Sequence, residues 1–127
     1  MIPKFRAWYT PFKGEEFGQE MKYGQAGRLI THAEMSPDKY VLMQSTGLKD
    51  KNGVEIFEGD IVAIENHPFQ KKKGDMGVGM EINGNYEIGW EKHDLTWCAG
   101  SLLLARLKPY VRVIGNIYEN PELLEAD

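Results

Sequence analysis

The stretch from Leu42 to Ile64 constrains the fold more than any other. Its short apolar runs, among them Ile56-Phe57 and Ile61-Val62-Ala63-Ile64, are separated by Gly47, Asp50-Lys51-Asn52-Gly53 and Glu58-Gly59-Asp60. Gly, Asn and Asp stand where a chain must reverse, so the pattern predicts consecutive tight β segments. Asn52 and Gly53 tolerate the positive φ of a tight hairpin loop, which would bring Leu48 and Ile56 near each other. At the next turn the Asp60 carboxylate is placed to accept from nearby backbone amides while Ile61 to Ile64 resumes an extended run. Glu55, Glu58 and Asp60 could serve acid/base or metal chemistry as a cluster. Turn capping and solvated charge account for them without it.

The chain of 127 residues has the size of one domain, and 42% apolar residues suffice for one core, so a single domain over 1–127 is expected. Three Trp, six Tyr and five Phe can each bury roughly 150–250 Å², which favours a folded globule over a disordered tail. A balance of 15 Lys plus Arg against 19 Asp plus Glu argues against a concentrated duplex-binding face. The single Cys98 has no partner for an internal disulfide, and no run approaches the roughly 18 apolar residues of a spanning helix. These features predict a soluble intracellular protein.

Lys4 to Tyr9 reads as a strand with Lys4, Arg6 and Trp8 on one side and Phe5, Ala7 and Tyr9 on the other, both with something to bury. From Glu15 to Gly27 helix-forming and helix-weakening residues alternate, since each internal Gly would cost about 1 kcal/mol. This segment is expected to be a long connection with a short strand near Met21 to Tyr23. Arg28 to Thr31 suggests another strand, and Ser36-Pro37-Asp38 a turn leading into Tyr40 to Ser45.

Beyond the polar, basic run His67-Pro68-Phe69-Gln70-Lys71-Lys72-Lys73-Gly74, which should be an exposed loop, alternation returns. Met76, Val78, Met80 and Ile82 precede Asn83-Gly84-Asn85, and Tyr86, Ile88 and Trp90 follow it. Directly opposed residues share a face, so a three-residue loop, with Gly84 or Asn85 left-handed, pairs Ile82 with Tyr86, Met80 with Ile88 and Val78 with Trp90. His93, Asp94 and Cys98 are of the types that zinc sites and thiol nucleophiles use, but four ligands at motif spacing are missing. A buried structural Cys98 beside Trp97, with His93 and Asp94 in a turn, is the reading preferred.

Ser101 to Leu107 suits either a strand or a short helix, and Tyr110 to Ile114 is a strand ended by Gly115-Asn116. Asn120 then caps a short helix with Pro121 at its first position. Leu123 and Leu124 either close one end of a barrel or pack on a neighbouring subunit.

Three motifs in order carry a family resemblance: Lys4-Phe5-Arg6-Ala7-Trp8, Met43 to Gly53 continuing through Glu58-Gly59-Asp60-Ile61-Val62, and Val113 to Leu124. Together they bracket nearly the whole chain, which resembles the YopX family of phage and prophage proteins. Tyr9 to Thr31 and Phe69 to Leu107 match no pattern of it. The resemblance implies a small, mostly β protein encoded by a phage, in the cytoplasm of its bacterial host, with no assigned activity and hence no catalytic or ligand residues to carry over.

The expected architecture is therefore mainly β, a small barrel-like or strongly bent antiparallel sheet with at most short helices. The expected function is a non-enzymatic phage accessory protein that binds protein, either itself as a homo-oligomer or a host or phage factor, without cofactor, metal or membrane. The alternative is a small β-barrel binding single-stranded nucleic acid, with Phe69, Trp90 or Trp97 for stacking and Lys71, Lys72 and Lys73 for phosphates. Those six residues are the candidate binding site.

Overall fold

Short strands separated by turns that spend polar side chains on backbone amides make up most of the computed structural model, which describes residues 4–12, 16–25, 33–68, 82–100 and 102–125. The chain is mainly β, and no helix among these residues exceeds four residues. It divides into two compact units, Met1–Gly47 and Leu48–Asp127.

In the first unit β1 (Lys4–Tyr9) is the central strand, with β2 (Glu20–Gln25) on one side and β3 (Tyr40–Lys49), whose last two residues enter the second unit, on the other. Both neighbours are antiparallel: Trp8 lies opposite Met21 and Val41, and Tyr9 opposite Glu20 and Tyr40. Arg6, Ala7 and Trp8 are all buried, so β1 does bury residues on both faces, as its alternation requires. The Tyr9 and Tyr40 rings stack across the strands at 4.9 Å, and the Lys22 ammonium lies 4.6 Å from the Tyr9 ring centre. That ammonium is 3.1 Å from Glu20, whose carboxylate holds the Lys22 pKa above its ordinary value. The predicted turn after Ser36 forms, with Lys39 N–H donating to the Ser36 carbonyl at 3.0 Å. Residues 33–35 are helical, and the strand expected over Arg28 to Thr31 lies outside the described residues.

The second unit follows β3 through the turn at Asp50–Gly53 into β4 (Glu55–Phe57), then β5 (Asp60–Ile64), β6 (Gly84–Glu91), β7 (Thr96–Ala99), β8 (Leu102–Leu103) and β9 (Val111–Asn116). Its sheet runs in the order β8-β7-β6-β5-β9, antiparallel throughout. Every residue of β5, an interior strand paired with β6 and β9, is buried, so both of its faces are covered. Ile56, Val62, Ile64, Ile88, Ala99, Leu104, Leu107 and Val111 form the core, with Leu48 packed against it as the Asp50 turn predicts. Gly53 and Gly59, at φ +82° and +83°, supply the left-handed residues of the two turns. Leu102 to Leu107 resolves into both alternatives: β8, and then a helix at Leu104–Leu107.

Two expectations need correction. Asn83-Gly84-Asn85 is not a hairpin loop: Gly84 and Asn85 already belong to β6, opposite Ile64 and Ala63. The fully buried β5 takes that register, and tertiary pairing with a core strand outweighs the local turn preference of Asn-Gly. The supposed partner arm, Met76, Val78 and Met80, lies outside the described residues. Asn120 does precede a turn of 3-10 helix at Pro121–Leu124, but its side chain makes no cap bond to that turn. Its Oδ1 instead accepts from Asn116 N–H at 3.3 Å and closes the end of β9, while its carbonyl starts the turn by accepting from Leu123 N–H at 3.1 Å.

Candidate functional site

The β6–β7 hairpin assembles what can be described of the candidate site. The two strands pair with Trp90 opposite Trp97 and Glu91 opposite Thr96, leaving Lys92 to Leu95 as a four-residue turn. Leu95 takes φ +51°, and His93 N–H donates to Glu91 Oε1 at 3.0 Å, so the turn is fixed by its own side chains. One pair further in on the same face, Ile88 opposes Ala99, both fully buried. The face thus passes from core to surface within two residues.

Trp97 sits at that border, half-buried and packed against the core, and Trp90 meets it edge to face with ring centres 5.2 Å apart. Trp90 is 46% exposed and Leu95, in the turn, 72% exposed. An edge-to-face aromatic pair holds both rings in place, worth about 0.5–1.5 kcal/mol beyond the area it buries. The geometry therefore presents a rigid indole at the surface. Sequence reasoning names both tryptophans, and the structure brings them together. Their equal spacing about Lys92–Leu95 is the signal that could have paired them. Phe69, Lys71, Lys72 and Lys73 lie outside the described residues.

On the other face, Cys98 is buried opposite Gly89. Burial pushes its thiol pKa up, and the charges of Glu91 and Asp94 add to the shift. A thiol held in its neutral form is a poor nucleophile and a poor ligand. His93 and Asp94 occupy the turn, as expected.

The buried side chains of Asp60, Asp50 and Asn116 spend their oxygens on backbone amides. Asp60 Oδ2 accepts from Phe57 N–H at 2.8 Å. Asp50 Oδ1 accepts from Asn52 and Val54 N–H at 2.8 and 2.9 Å, and its Oδ2 from Val113 N–H at 2.9 Å. Asn116 Oδ1 accepts from Tyr118 and Glu119 N–H at 3.0 and 2.9 Å. Among the described residues no three His, Cys, Asp or Glu side chains are grouped as metal ligands would be. No helix among them is long and apolar enough to cross a membrane.

Comparison with known proteins places this arrangement. The profile of the family described as YopX protein matches residues 4–125. Among solved structures, the crystal structure of protein EF1440 from Enterococcus faecalis is similar, with a TM-score of 0.55 and 32% sequence identity. The match covers 98% of this chain and 99% of that one. No curated protein matches the chain.

Proposed function

The chain belongs to the YopX family, and on that premise we propose that it is a phage or prophage accessory protein of the bacterial cytoplasm. In this reading it is a non-enzymatic β module that binds protein, in the first place a second copy of itself. One observation carries the reading: Trp90, braced by Trp97, stands 46% exposed at the end of the core face. Aromatic side chains are enriched at the centres of protein interfaces, and a ring already held in place loses little freedom when a partner covers it. The use of Asp50, Asp60 and Asn116 as acceptors for backbone amides supports a structural rather than a chemical role for the polar residues.

Light scattering coupled to size-exclusion chromatography, run over a concentration series, tests this. The wild-type chain is expected to exceed monomer mass as concentration rises, and Trp90→Ala to shift that transition to higher concentration. A chain that stays monomeric at all concentrations, and captures no protein from infected host cells after nuclease treatment, would overturn the proposal. If capture instead depends on nucleic acid, weakens steeply with salt and is lost when Lys71, Lys72 and Lys73 become glutamates, the single-strand-binding reading takes its place.

A further inference from the structure

We infer that Asn52 is a site of self-modification, converting to aspartate and isoaspartate through a cyclic imide formed with Gly53. Two asparagines in the chain precede glycine, Asn52 and Asn83, and only glycine leaves the following amide nitrogen unshielded by a side chain. The others precede His67, Tyr86, Ile117 and Pro121, which are bulky or, for proline, lack the N–H. The fold separates the two candidates.

Asn52 and Gly53 are exposed at the tip of the Asp50 turn. The Asn52 carboxamide has no hydrogen-bond partner among the described residues. A Cβ built on Gly53 would meet nothing within 4 Å, so both reacting groups stand in open solvent. The one bond to be released is Gly53 N–H to the Asp50 carbonyl, at 3.0 Å. Asn83, by contrast, makes interactions of its own, and Gly84 is held in β6 opposite Ile64, where a Cβ would come within 3.7 Å of the Tyr86 ring.

In the reaction Gly53 N gives up its proton to base and attacks Asn52 Cγ. The new N–C bond closes a five-membered imide as ammonia leaves with that carbon's former nitrogen. Water then opens either carbonyl, giving aspartate or, with the main chain rerouted through Cγ, isoaspartate. The second product lengthens the backbone by one methylene between two amides, Asn52 and Val54 N–H, that share Asp50 Oδ1. It therefore loosens the turn through which Asp50 reaches β9.

The test incubates the full chain at mildly alkaline pH, folded and in denaturant, and follows each asparagine by peptide mass spectrometry. In the folded chain Asn52 is expected to disappear ahead of Asn83, and in denaturant the two at similar rates. Asn83 keeping pace with Asn52 in the folded chain would overturn the inference. So would an Asn52 that survives folded for as long as Asn66 and Asn85. Asn52→Gln, whose longer side chain disfavours the five-membered ring, is expected to remove the acidic species seen by ion exchange. Its appearance at an unchanged rate in that variant would equally overturn the assignment.

Discussion

The Asp50 carboxylate accepts the backbone N–H of Val113 at 2.9 Å, across 63 residues of chain. Its other oxygen holds its own turn, and Lys51 N–H adds a bond to the Val111 carbonyl at 2.9 Å. β9 is an edge strand of its sheet, and an open strand edge invites pairing with other chains. The hairpin tip thus satisfies part of that edge with the Asp50 carboxylate and the Lys51 N–H. Asp50→Ala leaves three amides without their acceptor and is expected to cost about 2–4 kcal/mol. Asp50→Asn, which keeps one carbonyl oxygen, should cost about half as much by the same argument. Urea unfolding monitored by tryptophan fluorescence measures both, and equal losses in the two variants would refute the division between the oxygens.

Gly115 is required for space rather than for φ. A Cβ there would lie 2.5 Å from Asn120 Oδ1 and 2.9 Å from Asn120 Cβ, so rotating the Asn120 side chain does not make room. Gly115→Ala is expected to destabilise the chain by about 1–3 kcal/mol, the usual range for overpacking. Asn120→Gly removes all three clashing atoms, Oδ1, Cγ and Cβ, and the double variant should lose less than the sum of the two single losses. A double-mutant cycle reads the coupling directly, and strict additivity would show that the clash is relieved elsewhere.

What was legible in the sequence was local. Lys4–Tyr9 shows its strand because apolar residues occur on both sides of the alternation, and the Asp50 and Asp60 turns show themselves because the reversing residues sit beside the amides they serve. Asn83-Gly84-Asn85 misleads for the opposite reason. A hairpin signal states which turn a segment would prefer alone, whereas β6 was claimed by β5 and β7. The reach from Asp50 to Val113 and the seat of Asn120 over Gly115 depend on which strands become neighbours, and a turn motif carries no such information. Of the candidate site, the sequence offers the two tryptophans one at a time, as single aromatic residues. Their pairing follows from the symmetry of the Lys92–Leu95 turn, and the His and Asp in that turn carry no sign of it.

The two tryptophans should separate stability from association. Trp97 packs against the core, so Trp97→Ala is expected to cost about 2–4 kcal/mol, toward the lower end of the range for fully buried aromatic residues. Trp90→Ala gives up the edge-to-face pairing and little core, so its loss should be near 1 kcal/mol. Thermal unfolding gives the first comparison and light scattering the second. A Trp90→Ala variant as unstable as Trp97→Ala would mean that Trp90 belongs to the core.

Cys98 predicts an alkaline limit to stability. Its thiol pKa is raised in the folded chain above the ordinary 9.0, chiefly by burial. The folded state therefore holds the thiol proton more tightly than the unfolded state does, and below pH 9.0 the full contribution is present. As pH rises past that value the unfolded thiol ionises while the folded one stays neutral, and the contribution is lost progressively until the raised pKa is passed. Cys98→Ala should flatten this part of the stability profile. Alkylation by iodoacetamide gives an independent reading, because only thiolate reacts: Cys98 in the folded chain should label far more slowly than in the urea-unfolded chain at the same pH. Equal labelling rates would show that the thiol is neither buried nor held protonated.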